Sequence, residues 1–176
     1  MLFDGAAIWF SSRSGIDRLQ ESELRHWGEN EHMNSEVCFD VAKGTDGKIW
    51  AATSAGVGRF DGTDWRFVGD GEGGASATRA VVNDGGGRMW LATSRGLRVL
   101  DEAAASAPGS GFGVGGELIV EDDMHDLIVD WFGRVWALGD AALAIVSTSG
   151  GTTGGATPAS TSAPAETRVE TAGGTR

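Results

Sequence analysis

The stretch Asp84-Gly85-Gly86-Gly87-Arg88-Met89-Trp90-Leu91-Ala92-Thr93-Ser94-Arg95-Gly96-Leu97 decides how this chain is read. A glycine-rich turn leads into a short apolar run centred on a tryptophan, and a Ser-x-Gly turn leads out of it. Tight β-turns demand positive φ, which glycine adopts without a Cβ penalty. The pattern recurs as Gly47-Lys48-Ile49-Trp50-Ala51-Ala52-Thr53-Ser54-Ala55-Gly56-Val57, as Ile8-Trp9-Phe10-Ser11-Ser12-Arg13-Ser14-Gly15, and as Val135-Trp136-Ala137-Leu138-Gly139-Asp140-Ala141-Ala142. Trp9, Trp50, Trp90 and Trp136 stand 41, 40 and 46 residues apart. Gly47, Gly87 and Gly133 lie three positions before their tryptophans, and Val41, Val81 and Leu127 lie nine before. Asp84 and Asp130 lie six before, where the second copy has Gly44. Agreement at this many positions marks an internal repeat.

Each copy divides into strands by its turn residues. In the second, Val37–Ala42, Ile49–Thr53, Val57–Phe60 and Trp65–Val68 read as successive strands, separated by Asp46-Gly47, Ser54-Ala55-Gly56 and Asp61-Gly62. Four antiparallel strands per roughly 40 residues make one propeller blade. The expected fold is therefore all-β: a partial β-propeller over residues 1–147, then a Gly/Thr/Ala/Pro-rich disordered tail over 148–176. The blade pieces are 2–27, 37–68, 78–120 and 124–146, the third interrupted by a Gly/Ala insertion at Ala103–Gly116. They amount to about fourteen strands, three and a half blades, an incomplete ring in which the two end pieces do not complete one another. A chain starting in mid-blade reads as a fragment of a longer product, or as one that associates with itself to complete a ring. The repeat tryptophans are expected to fill the space between neighbouring blades, with Trp27 and Trp65 on outer strands and Trp131 partly exposed.

Composition narrows the partners. The chain has 176 residues with 29 Gly and 7 Trp, and carries a formal net charge of −11. Glu166, Glu170, Arg168 and Arg176 cancel within the tail, so the excess lies on the propeller portion. Such a surface repels a phosphate backbone, which excludes nucleic acid as a partner. The single Cys38, between Val37 and Phe39, reads as a buried hydrophobe. No apolar run approaches the roughly 20 residues of a membrane span, and no signal peptide is visible. The chain thus reads as cytoplasmic as it stands, and as extracytoplasmic if a leader has been lost.

The repeat resembles that of the two-component-regulator propeller family, Asp-x-x-Gly-x-(Leu/Ile)-Trp followed by Thr-x-x-Gly. The resemblance is good in the middle two copies, Asp84 to Leu97 and Gly47 to Val57, although Gly44 stands at the Asp position of the second; Ser12 replaces the Thr in the first copy, and Ala142 replaces the Gly in the fourth. The resemblance spans residues 3–146 and implies a bacterial sensor or interaction module for signal transduction. It further implies that such modules bind small molecules such as glycans, or proteins, with no cofactor. The motif is one of packing and marks no catalytic centre.

Loops joining the last strand of one blade to the first of the next, and those joining second to third strands, should emerge on one face. The candidate ligand-binding residues there are Arg13, His32, Asn34, Arg95, Asp123 and His125, with Arg13 and Arg95 at one repeat position. The run Glu121-Asp122-Asp123-Met124-His125-Asp126 is dense in metal-ligating types. Alternation along a strand lets only some of them converge, so it reads as a charged turn. Trp-bearing repeats also resemble streptogramin lyases, whose metal-dependent chemistry uses a His base. His125, beside Asp123 or Glu121, would be that base in the alternative, enzymatic reading.

Overall fold

A computed structural model describes residues 1–28, 33, 37–68, 76–106, 116–148 and 167–172. Sheet 1 holds β1 (Leu2–Asp4), β2 (Ala7–Ser12), β3 (Gly15–Gln20) and β4 (Glu23–Trp27). Sheet 2 holds β5 (Cys38–Lys43), β6 (Ile49–Thr53), β7 (Gly56–Phe60) and β8 (Trp65–Val68). Sheet 3 holds β9 (Thr78–Asn83), β10 (Arg88–Thr93), β11 (Gly96–Asp101) and β12 (Glu117–Val120), with a one-turn helix α1 (Glu102–Ser106) between the last two. Sheet 4 holds β13 (Met124–Val129), β14 (Val135–Gly139), β15 (Leu143–Thr148) and β16 (Thr167–Ala172). Every sheet runs in chain order with antiparallel neighbours, and the first strands of the four sheets lie innermost around a groove. This is a partial β-propeller.

The described strands number sixteen, two more than the sequence reading counted. One addition is β1, a first strand only three residues long, too short to show a periodicity. The other is β16, which pairs with β15 from Leu143↔Ala172 to Thr148↔Thr167. The tail therefore contributes one strand, although its composition holds too little apolar surface for a core. The helix α1 is likewise an addition, inside the Gly/Ala insertion. The other tail residues lie outside the described residues.

Adjacent sheets are joined by indoles. Trp9 of sheet 1 packs with Trp27 against Phe60 and Trp65 of sheet 2, with ring centroids 5.2–6.5 Å apart. Trp50 of sheet 2 lies in one cluster with Val81, Met89, Leu91 and Leu100 of sheet 3. Trp90 of sheet 3 lies in another with Met124, Leu127, Val135, Ala137, Ala144 and Val146 of sheet 4. Trp9, Trp50 and Trp90 are buried, whereas Trp136 is only half-buried. The expectation that all four repeat tryptophans are enclosed is thus corrected for Trp136, because no described sheet follows sheet 4. Trp27 and Trp65 do sit on outermost strands, yet are buried.

The other motif residues hold the hairpins. Thr53 and Thr93 donate from Oγ1 to the carbonyls of Gly56 (2.9 Å) and Gly96 (2.7 Å). Ser12 does the same for Gly15 at 3.2 Å. Gly96 has φ +138°, and a Cβ there would run into the Val120 carbonyl of the neighbouring outer strand. Thr53 Oγ1 also accepts the Ala55 N–H at 3.2 Å, and in sheet 4 Asp122 takes over that accepting role for the Ala141 and Ala142 N–H groups at 3.0 and 3.2 Å. At the opposite end, Asp84 accepts from Trp90 Nε1 at 3.1 Å and Arg88 Nε at 2.8 Å, while Asp130 accepts from Trp136 Nε1 at 3.1 Å and Arg134 Nε at 2.7 Å. Partial burial alone would raise the Asp130 carboxyl. The Trp136 and Arg134 donors and the Phe132 N–H outweigh it and hold the group at about 2.

Sheet 2 has Gly44 where this aspartate belongs, and its carboxylate comes from elsewhere. Glu102, the first residue of α1 and 3% exposed, accepts from Thr45 N (2.9 Å), Thr45 Oγ1 (2.8 Å), Asp46 N (3.4 Å) and the Asn83 side-chain amide. A Cβ at Gly44 would come within 2.9 Å of Glu102 Oε2 and 3.0 Å of Trp50 Nε1. The glutamate of sheet 3 therefore occupies the space of the missing aspartate of sheet 2 and ties the two sheets together. Removing it would leave buried donors unsatisfied.

Trp50→Ala or Trp90→Ala should cost about 3–5 kcal/mol in denaturant unfolding, as large core truncations do. Trp131→Ala, at a residue 92% exposed, should stay within about 0.5 kcal/mol of the parent. Glu102→Ala should cost about 1–3 kcal/mol. Gly44→Asp should destabilise the parent through its clash with Glu102 but recover stability in the Glu102→Ala background. Additive effects in that double-mutant cycle would refute the replacement.

Candidate functional site

The four innermost strands line a groove of about 640 Å³, bounded by Leu2 of β1, Phe39–Lys43 of β5, Arg79–Asn83 of β9 and Asp126–Val129 of β13. Its mouth is shaped by three bulges at one repeat position. The ladder of β5 skips Phe39, that of β9 skips Arg79, and that of β13 skips His125. Each residue lies eleven before its tryptophan. A bulge frees its residue from the alternation of the strand and re-aims the side chain. An apolar ring, a guanidinium and an imidazole thereby occupy one repeat position on successive blades.

Electrostatic partners surround two of them. Arg79 grips Asp123 with both terminal nitrogens, Nη2 lying 3.2 Å from Oδ2, and donates from Nη1 to the Met124 carbonyl at 2.9 Å. The Arg79 hydrogen bond, with its charge behind it, holds Asp123 below the ordinary carboxylate range. His125 Nε2 lies 2.6 Å from Asp140 Oδ1. Deeper in the groove, Asp40 accepts the Val41 N–H at 2.8 Å and, across the sheet boundary, the Val81 N–H at 3.1 Å. Burial raises the Asp40 carboxyl; the Val81 and Val41 donors pull against it, and the Asp126 charge adds to the rise. Asp126 stands at the same repeat position and accepts the Leu127 N–H at 2.8 Å.

The residues singled out from the sequence are placed unequally. Asp123 and His125 come together, with Asp140 completing a group whose ligand atoms lie within 4.8 Å of one another. Arg13 and Arg95 are exposed on the second hairpins of sheets 1 and 3. His32 and Asn34 lie outside the described residues. Of the repeat residues, Gly47, Gly87 and Gly133 have φ of +79°, +87° and +76° in their turns. Sequence reasoning missed Phe39, Arg79 and Asp40, and took Asp140 only as a hairpin residue. The signal available was thin: eleven positions before the tryptophan the copies carry Phe39, Arg79 and His125, but the flanking positions, Cys38, Thr78 and Met124 before and Asp40, Ala80 and Asp126 after, vary as well.

This arrangement can offer a cation, an imidazole and an aromatic face to a polar ligand. As a metal site it is compromised, since Arg79 already neutralises Asp123. As a base, His125 is held by Asp140. Cys38 is buried, and desolvation pushes its thiol up to about 12, so it is no nucleophile. At the opposite end, Trp131 and Phe132 meet edge to face at 6.1 Å and are 92% and 75% exposed.

Comparison with known proteins agrees with the architecture. No protein-family model matches the chain, and no curated protein matches it. Among solved structures, it is similar to the extracellular domain of the hybrid two-component system BT4673 from B. thetaiotaomicron, with a TM-score of 0.66 at 15% identity, over 83% of this chain and 23% of that one. The extracellular domain of the hybrid two-component system BT3049 from the same organism gives 0.60 at 15% identity, over 80% of this chain and 19% of that one. PorZ, a surface component of the type-IX secretion system of Porphyromonas gingivalis, gives 0.51 at 14% identity, over 81% of this chain and 23% of that one. The chain spans about a quarter, or less, of the length of these proteins. At such identities the likeness defines the class by fold alone: a four-bladed portion of β-propeller.

If Arg79 sets the charge of Asp123, Arg79→Ala should raise the Asp123 pKa toward the ordinary carboxylate value near 3.9. Carbon-detected NMR titration of the aspartate side chains would show this. An unmoved Asp123 would mean that the ion pair is not formed in solution.

Proposed function

We propose that this chain is a non-enzymatic recognition module that takes a small, hydroxyl-rich ligand of glycan type at the mouth of its axial groove. The observation that carries the reading is the set of three bulges that give Phe39, Arg79 and His125 the same position on three successive blades, Phe39 and Arg79 lining the groove. An aromatic ring can stack on the apolar face of a sugar, while a guanidinium and an imidazole–carboxylate pair bond its hydroxyls. The net charge of −11 turns polyanions away and is compatible with a neutral sugar. The architecture shared with extracellular domains of two-component systems supports a sensing role, in which binding is the signal and turnover is not needed.

The test is a panel of neutral and acidic oligosaccharides, followed by thermal melting and by chromatography of the sugar after incubation. A true ligand at a hundredfold excess over its Kd should stabilise the fold by about 2.7 kcal/mol, which is roughly 5–10 °C in a domain of this size. The shift should shrink in Phe39→Ala and Arg79→Ala, and the sugar should be recovered unchanged. Chelator-sensitive consumption of a ligand would instead establish the metal-dependent lyase reading. Melting curves indifferent to the whole panel would remove the glycan assignment.

A further inference from the structure

Each repeat tryptophan carries a guanidinium against its ring. Arg18 lies 5.5 Å from the Trp9 centroid, Arg59 5.7 Å from Trp50, Arg88 5.8 Å from Trp90 and Arg134 5.4 Å from Trp136. In sheets 2, 3 and 4 an aspartate holds that guanidinium: Asp46 takes Arg59 at 2.5 Å, Asp84 takes Arg88 at 2.8 Å and Asp130 takes Arg134 at 2.7 Å. Among the described residues Arg18 has no such partner, and its Nε is buried without a hydrogen-bond acceptor. The indole nitrogens of Trp9 and Trp65 are orphaned in the same ring cluster. Those two residues are 2% and 7% exposed, with centroids 6.2 Å apart.

Sheet 2 shows what sheet 1 lacks. The register runs Trp9–Arg18–Arg25 across β2, β3 and β4, and Trp50–Arg59–Arg66 across β6, β7 and β8. In sheet 2 both arginines meet a carboxylate, Arg59 that of Asp46 and Arg66 that of Asp61 at 3.4 Å. Gly5 and Gln20 stand at those two repeat positions in sheet 1. Of the acids there, Asp4 pairs with Lys43 at 2.6 Å and Asp17 with His26 at 2.8 Å, while Glu21 and Glu23 pair with no arginine. Arg18 and Arg25 thus stand directly opposite one another, an arrangement of like charges that destabilises a sheet. Both lie over the Trp27 ring, at 5.7 and 4.7 Å. We infer that this seam between sheets 1 and 2 is a binding site for the carboxylate of a small molecule, apart from the axial groove, which none of these residues lines. The ligand's carboxylate replaces the aspartates that the other sheets supply themselves. It offers two oxygens to a guanidinium fork and accepts from an indole, as Asp84 and Asp130 do at 3.1 Å. Arg25 is exposed and Arg18 half-buried, so the positive charge is open to solvent. A chain of net charge −11 repels a polyanion or an acidic protein face over its whole extent, and a compact monoanion far less.

The test is a titration of the full chain with acetate and with glucuronate at constant ionic strength, followed by the indole and arginine side-chain N–H signals in nitrogen–proton NMR spectra. Both carboxylates should move the Trp9 indole and Arg18 Nε–H signals saturably, and chloride should not. Arg25→Gln, at an exposed residue, should leave far-UV circular dichroism unchanged and weaken binding about tenfold, as loss of a charged hydrogen-bond partner does. Arg18→Gln should weaken it at least as much. Gln20→Asp restores the carboxylate that sheet 2 has beside its second arginine, and should also lower the affinity by competing with the ligand. Signals indifferent to both carboxylates, or moved equally by chloride, would overturn the inference, as would an affinity unchanged in Arg25→Gln. A preference for inorganic phosphate over acetate would overturn the carboxylate assignment. If Asp4→Asn or Glu23→Gln shifts the Trp9 indole signal of the ligand-free protein, the acceptor is the chain's own and the inference fails.

Discussion

An indole on the second strand of a four-stranded sheet has nowhere dry to go except the next sheet. A single sheet of this size buries almost nothing by itself, since each residue on its faces is within reach of water. Stacked, the sheets turn Trp9, Trp50 and Trp90 into core, at 2%, 0% and 0% exposure. Such rings bury on the order of 150–250 Å² each. Stability in this kind of array is a sum over neighbour contacts. Trp136 shows it directly: it matches Trp90 in its strand and in the aspartate on its indole nitrogen, but no described sheet lies beyond it and it stays half-buried.

That constraint explains which parts of the molecule could be read from the sequence. The tryptophan spacing, the glycines before it and the threonine after it are local requirements of hairpins and sheet faces, so each repeats and each is visible. Elements whose reason is non-local were not visible. The strand β1 is only Leu2-Phe3-Asp4 and exists because Ala7–Trp9 pair with it. The strand β16 follows a long stretch of tail and is defined by its register on β15. The helix α1 begins with a glutamate whose partners, Thr45 and Asp46, stand more than fifty residues earlier in the chain. Within the candidate site, Asp123 and His125 were legible as a charged run. Arg79 was not, because its pairing with Asp123 crosses a blade boundary.

Gly44 illustrates how a repeat tolerates a missing part. In sheets 3 and 4 the aspartate six before the tryptophan closes its own hairpin and bonds the indole. In sheet 2 that carboxylate is absent, and the adjacent blade supplies one through Glu102. The carboxylate's bonds to the hairpin N–H groups, from Thr45 and Asp46, thereby run between blades rather than within one. A buried carboxylate is tolerable only when its oxygens are satisfied, and four donor groups meet them here. A departure from the repeat therefore marks a join between units, and the same logic applies to Asp122, which holds the hairpin of sheet 4 where the threonine is missing.

The bulge position obeys a different rule. Residues that face a neighbouring blade must be apolar, and those in turns must permit the turn, so both are constrained in kind. A residue lifted out of the ladder at the groove mouth is constrained by neither requirement. Phe39, Arg79 and His125 share that freedom and share no chemistry. Positions that a fold leaves unconstrained are where chemistry can be varied without cost to packing. In this chain the packing rule and the freedom from it are written on the same strands, two residues apart: Val41, Val81 and Leu127 pack into the clusters between blades, and the bulged residues stand out of the ladder.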